Sequence, residues 1–258
     1  MTTRLAAPLG APCWLDLWTS DVEASRRFYC ELFGWRAETP NPDYGGYFMF
    51  TREGVPIAGA MGDRGELRAT DSWKPYFSTL DIDRALELAT SHGAEVLLPA
   101  GPVGDLGSQA VITDAAGAVT GIWQPGSFFG FSAIHEPGTP SFIAIDVHDY
   151  RSEIAFYRLV FGWDPLEEEV DGHHYAGFVD PDGQRPLAGI GDEVESLAPG
   201  ETPFWTIFWQ VDDVDASVSN ALALGGAVLA EPDAGGLGRV ARVADPSGAR
   251  FSLFTPMG

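Results

Sequence analysis

Cysteine, lysine and long apolar runs are all scarce in this chain, and each shortage removes a class of explanation. Two cysteines, Cys13 and Cys30, in 258 residues make no disulfide framework and no Cys-x-x-Cys motif. Lys74 is the only lysine, and 15 basic residues stand against 37 acidic ones, for a formal net charge of −22. Such a surface argues against nucleic acid as a partner, because phosphate contacts need cations, whereas a cationic ligand would be attracted. No apolar stretch approaches the ~18 to 20 residues of a membrane-spanning helix. Met1–Gly10 lacks the charged-then-apolar design of a secretory signal, so the expected location is cytoplasmic, away from membranes. There is no Gly-x-Ser-x-Gly element. Gly235-Gly236-Leu237-Gly238 lacks both the lysine and the strand-to-helix context of a phosphate loop, and reads as a turn.

What the chain does have is aromatic residues and a repeat. With 45% hydrophobic and 12% aromatic residues it can fill substantial cores. Phe28-Tyr29-x-x-x-Phe33-Gly34-Trp35 returns 128 positions later as Phe156-Tyr157-x-x-x-Phe161-Gly162-Trp163, with Asp21 and Asp149 each seven residues ahead of the first Phe. A second match, at an offset of 131, pairs Asp114-Ala115-Ala116-Gly117 with Asp245-Pro246-Ser247-Gly248. A duplicated domain follows, with halves at 1–126 and 140–258. The join at 127–139, rich in Gly and Pro and carrying Phe128, Phe129 and Phe131, reads as a linker that packs.

Each half carries a finer repeat of strand, helix and three strands. The spacing predicts a strand over 14–18 and a helix from Ser20-Asp21 to Phe33, stopped by Gly34. Strands are expected near 47–51 and 57–61. A second unit begins with a strand at 76–80 and a helix over 83–91, followed by strands near 96–98, 110–113 and 119–123. The second half repeats this from Phe142, with a strand over 204–211 and a helix over 215–224. Asp21 and Asp149 are expected to cap helices.

The paired β-α-β-β-β units, the Phe-Tyr-x-x-x-Phe-Gly-Trp helix end and the Asp-Pro-x-Gly hairpin resemble the vicinal oxygen chelate superfamily of glyoxalases, bleomycin-resistance proteins and extradiol dioxygenases. More narrowly, the chain is similar to tandem two-domain glyoxalase-like proteins labelled hydroxylases, with relatives in aromatic polyketide antibiotic pathways. The resemblance implies an α+β fold: four βαβββ modules paired into two tandem domains, each with a curved mixed sheet forming a cup. It also implies a test, because catalytic members hold a divalent metal with His, Gln or Glu from the first and last strands of each module. Here those positions fall at Trp14, Phe142, Pro75 and Thr206 on first strands, and at Gly59, Gly189, Gly121 and Ser252 on last strands. None can supply the neutral imidazole or carboxylate that such a site requires. His92, His135, His148, His173 and His174 all fall elsewhere. No metal and no other cofactor is expected.

Alternation along strands then says what lines the cups. The expected ligand-binding residues are Trp14, Trp18, Phe77 and Trp123 in the first half, and Phe142, Phe208 and Phe254 in the second. Asp16 lies between two tryptophans on one strand face, where a buried acid is costly without a partner; Arg64, Arg68 or a backbone amide are candidates. Asp146 and His148 form an Asp-x-His on one strand face and are a candidate proton-transfer pair, although His148, directly before Asp149, reads more readily as exposed at a helix start. Tyr47 and Tyr175 are weaker acid candidates, and Cys13 is assigned to the core. The expectation is a metal-independent protein binding a small, polycyclic aromatic ligand, for resistance by sequestration or in secondary metabolism. The alternative is a metal-free enzyme of aromatic natural-product biosynthesis using Asp16, or Asp146 with His148, as acid and base. The first half is expected to be the working one, and a homodimer is left open.

Overall fold

The computed structural model of the chain describes residues 6–63, 71–179, 186–194, 197–235 and 238–257. The first half runs β1 (Pro12–Thr19), α1 (Val22–Phe33), β2 (Arg36–Ala37), β3 (Phe48–Arg52), β4 (Val55–Gly62), β5 (Ser72–Ser78), α2 (Ile82–Ser91), β6 (Val96–Val103), β7 (Gly107–Thr113) and β8 (Val119–Pro125). The second runs β9 (Pro140–Asp146), α3 (Tyr150–Phe161), β10 (Leu166–Val170), β11 (His173–Val179), β12 (Pro186–Gly191), β13 (Thr206–Gln210), α4 (Val214–Ala223), β14 (Ala227–Gly235), β15 (Gly238–Ala244) and β16 (Arg250–Pro256). Each half is one open eight-stranded mixed sheet, in the orders β2-β3-β4-β1-β5-β8-β7-β6 and β10-β11-β12-β9-β13-β16-β15-β14.

The helices form where the chain supplies start and stop signals. Asp21, Asp81, Asp149 and Asp213 each accept a hydrogen bond from a backbone N–H in the first turn, satisfying a donor the helix leaves unpaired. Gly34 and Gly162 end α1 and α3 in the left-handed conformation that glycine adopts without a Cβ clash.

The repeated aromatic motif lies between the two sheets. On α1, the Tyr29 ring meets Trp73 of its own sheet at 5.2 Å and Phe251 of the other at 5.7 Å, and Phe33 meets Trp209 at 5.8 Å. On α3, Tyr157 meets Trp205 of its own sheet at 5.5 Å and Phe77 of the first sheet at 5.2 Å. Trp35 Nε1 donates to the Gly138 carbonyl and Trp163 Nε1 to that of Gly10. Helices therefore fill the space between the sheets, α2 packing on α3 and α1 on α4. The opposite sheet faces form the cups.

One register differs from expectation. The strand expected at 76–80 is β5, beginning at Ser72; Lys74 and Pro75 in its middle disguise it, since proline is uncommon inside sheets. It pairs antiparallel with β1, Trp14 opposite Tyr76 and Asp16 opposite Lys74. Tyr76 and Lys74 thus share the cup face, and Phe77 takes the opposite one. There its ring lies 5.1 to 5.9 Å from those of Tyr157, Phe161, Trp163 and Trp205. Phe77 is a core residue rather than a cup residue, because a one-residue slip reverses every face on a strand.

Candidate functional site

The first cup holds a cavity of about 560 Å³, large enough for a drug-sized aromatic ligand. Its floor is the cup face of β1, where Trp14, Asp16 and Trp18 all line the cavity, while Leu15 and Leu17 between them are fully buried on the helix side. Trp123 of β8 and Phe128 of the linker form one wall. Phe128 packs edge-on to Trp14 at 4.8 Å, and Trp123 Nε1 donates to its carbonyl. Met49, Met61, Leu98 and Leu106 continue the lining.

Asp16 is the chemical centre of this cup. Trp14 Nε1 donates to the Tyr47 hydroxyl at 2.7 Å, and that hydroxyl donates to Asp16 Oδ1 at 2.7 Å. Tyr76 faces the same carboxyl, and both phenols favour its ionised form. Burial outweighs them and pushes Asp16 up to about 6, while both tyrosines are held well above their ordinary value, first by burial and then by the Asp16 charge. Lys74, across the strand pair from Asp16, is only 1% exposed, with Nζ 4.3 Å from the centre of the Trp18 ring and 3.1 Å from Ser72 Oγ. Burial brings its ammonium down to about 7, against the pull of Asp16. Arg64 and Arg68 lie outside the described residues.

Two glycines make room for the tyrosines. A Cβ on Gly59 would fall inside the Tyr47 hydroxyl and close to Asp16 Oδ1, and one on Gly121 would fall inside the Tyr76 ring. These are two of the last-strand positions where the resemblance implied metal ligands.

The second cup is built differently from equivalent positions. Ala144 replaces Asp16, Thr206 replaces Lys74 and Phe208 replaces Tyr76, as the pairings of Ala144 with Thr206 and of Phe142 with Phe208 show. Phe142 and Phe208 stack at 4.1 Å, with Phe254 edge-on to Phe142 at 5.5 Å, so these three rings meet one another. Tyr175, the counterpart of Tyr47, donates to Glu193 instead. Asp146 lies beside Tyr175, where a Cβ on Gly191 would touch both. His148 is not brought into this cup. It is exposed at the start of α3, in a surface depression with Tyr150, Arg158, Glu167, His174 and Asp192. The chain leaves the strand at Asp146, so the alternation that would put both residues on one face does not extend to His148.

Alternation on β1 exposes Trp14, Asp16 and Trp18 to sequence reasoning, but Tyr76, Lys74 and Phe128 were missed. The even spacing of Ser72, Lys74, Tyr76 and Ser78, all polar-tipped, was the signal available for β5. Phe128 had none, since its place depends on the path of the linker.

Comparisons with known proteins agree with this architecture. Residues 13–120 match the Glyoxalase/Bleomycin resistance protein/Dioxygenase superfamily, and residues 142–254 match the Glyoxalase-like domain family. CFP32 of Mycobacterium tuberculosis, which carries the provisional name of a glyoxylase, is 34% identical over 253 residues, covering 96% of this chain and 95% of its own. DnrV of Streptomyces peucetius, named as an anthracycline biosynthesis protein, is 32% identical over 270 residues, covering 97% and 94%. Among solved structures, the 2,3-dioxygenase LapB from Pseudomonas sp. KL28 superposes with a TM-score of 0.65 at 13% identity, covering 97% of this chain and 94% of its own. A Mn(II)-bound glyoxalase from Novosphingobium aromaticivorans gives 0.63 at 13%, covering 95% and 82%. At such identities these structures speak to the fold alone.

Proposed function

The chain belongs to the glyoxalase, bleomycin-resistance protein and dioxygenase superfamily, and from that premise we propose that it binds a small, hydroxylated polycyclic aromatic molecule in its first cup without a metal. The observation that carries this reading is Asp16, a buried carboxyl on the floor of an aromatic-walled cavity, held by Tyr47. An ionised carboxyl accepts at about four lone-pair positions, so acceptor capacity remains for a ligand hydroxyl or amine. Indole and phenyl faces on Trp14, Trp123 and Phe128 suit a flat ring system. The role is sequestration or carriage of an antibiotic-like compound, or a step of secondary metabolism, in keeping with the name of DnrV.

The donor set does not fit the metal that catalytic members hold. Trp14 and Phe142 offer no ligand, Gly59 and Gly121 are covered by tyrosines, and among the described residues no three of His, Cys, Asp and Glu come together.

Titration with 1,8-dihydroxyanthraquinone, followed by calorimetry and tryptophan fluorescence, tests the reading. One site per chain is expected, indifferent to EDTA and to added divalent metals. Trp123→Ala should weaken binding ~10-fold, since an aromatic pair contributes ~0.5–1.5 kcal/mol beyond its buried area. Asp16→Asn should weaken it ~10- to 100-fold, the range of a hydrogen bond to a charged group. Phe208→Ala should leave it unchanged. Failure of every hydroxylated polycyclic aromatic to bind, or loss of binding with EDTA, would refute the proposal.

The raised Asp16 also favours a second reading, a metal-free enzyme in which Asp16 takes a proton from the bound aromatic. A base is most effective when its own affinity for protons lies near the working pH. Turnover would then show a limb near pH 6 and vanish in Asp16→Asn with ligand at saturation. Turnover surviving in that variant would remove Asp16 from the chemistry.

A further inference from the structure

Among the described residues, one side chain crosses the mouth of the first cup. Tyr44 stands on the 3-10 turn Pro42–Tyr44 between β2 and β3, at one edge of the sheet. Its hydroxyl reaches Gly104, in the turn between β6 and β7 at the other edge, so that a Cβ on Gly104 would stand 2.8 Å from it. Eight strands laid flat would put those edges ~34 Å apart at ~4.8 Å per step. The curl of the sheet and the excursion of residues 38–47 between β2 and β3 together bring the two edges within reach of a single phenol. We infer that Tyr44 is the bar of this cup, a gating residue that swings aside to admit the flat ligand and returns to hold it against the tryptophan floor. This inference rests on the aromatic-binding reading above.

The bar is free to move while its support is not. Among the described residues the Tyr44 hydroxyl makes no hydrogen bond, and the residue is 43% exposed, so rotation about its side-chain bonds breaks only van der Waals contact. The turn beneath it is closed by backbone bonds, Asn41 N to the Tyr47 carbonyl at 2.9 Å and Gly46 N to the Asn41 carbonyl at 2.8 Å. Gly45 and Gly46, at φ of 69° and 86°, let the chain reverse there. The far end of this turn is Tyr47, which holds Asp16, so the mouth and the floor of the cup are set by one short loop. Among the described residues the second half has no counterpart. β10 and β11 are joined by Asp171-Gly172 alone, and the cup beneath is occupied by its own stacked phenylalanines.

Stopped-flow tryptophan fluorescence with 1,8-dihydroxyanthraquinone tests the bar. Tyr44→Ala should raise both rate constants, dissociation by ~10-fold or more and association severalfold, because a gate slows passage in both directions. Tyr44→Phe should match the parent, since the hydroxyl is unbonded. Gly104→Ala, which crowds the Tyr44 hydroxyl and, at a φ of 55°, also strains its own turn, should move both rates towards those of Tyr44→Ala. Unchanged rates in Tyr44→Ala, or faster dissociation at constant association, would overturn the gate and leave the binding reading standing. Absence of any signal with the parent protein would overturn both.

Discussion

Asp16 combines a likeness to active-site acids with a cost to the fold. Its proton affinity is higher in the folded than in the unfolded chain, so the native state holds the proton more tightly. The stability this carboxyl contributes is therefore greatest at low pH and falls as pH rises from its ordinary value of 3.8 to about 6. Asp16→Asn, which resembles the protonated form, should match the parent in denaturant melts near pH 4. At pH 8 it should exceed the parent by ~1–2 kcal/mol. A variant no more stable than the parent at pH 8 would show that the acid is supported better than its burial suggests. The glycines beneath the tyrosines give a steric counterpart. Gly59→Ala should cost ~1–3 kcal/mol by overpacking and weaken ligand binding together with stability, because Tyr47 must leave Asp16 to accommodate the methyl group. Thermal melts and the same titration would check both effects.

Among the secondary-structure elements, α1 and α3 illustrate how a duplicated sequence diverges in use. Each carries a tyrosine that accepts from a tryptophan of its own sheet, Trp73 to Tyr29 and Trp205 to Tyr157, and faces a hairpin aspartate of the other half, Asp245 or Asp114. Beside Asp245 stands Ser25, whose Oγ lies 3.3 Å from Oδ2. The equivalent residue beside Asp114 is Glu153, fully buried. Burial, and then the charge of Asp114, raises Glu153 well above the ordinary glutamate value, so it stays protonated at neutral pH. Its contribution is fully present at low pH and declines as pH climbs above that ordinary value, since the unfolded chain then binds fewer protons than the native one. Glu153→Gln should accordingly flatten the alkaline side of the stability profile. Denaturant midpoints between pH 6 and 10 that fall as steeply as the parent's would contradict this. Nothing in the sequence distinguished this helix position from an ordinary exposed glutamate, because its burial is created by residues of the opposite half.

For the whole molecule, the two halves interlock. Trp209 and Phe251 of the second sheet pack on α1, and Phe77 of the first packs on α3. Either half alone would expose a large apolar face. Residues 1–126 and 140–258, expressed separately, should each lack a cooperative thermal transition. A sharp transition in either would mean that its core is self-sufficient.

The duplication and the helix limits were legible because they depend on local signals: the Phe-Tyr-x-x-x-Phe-Gly-Trp repeat, the capping aspartates and the terminating glycines; the α+β class came with the family resemblance those motifs carry. Trp14, Asp16 and Trp18 were legible because alternation on an uninterrupted strand fixes a face. Phe77 and His148 were not, because one strand begins earlier than its composition suggests and another ends sooner. Tertiary structure alone decided that Tyr76 lies over Gly121, that Phe128 returns to wall the first cup, and that Tyr44 meets Gly104. Each of these contacts joins residues far apart in sequence. A sequence fixes the period of its own strands, but the curvature that brings two sheet edges together arises only when all eight strands pair.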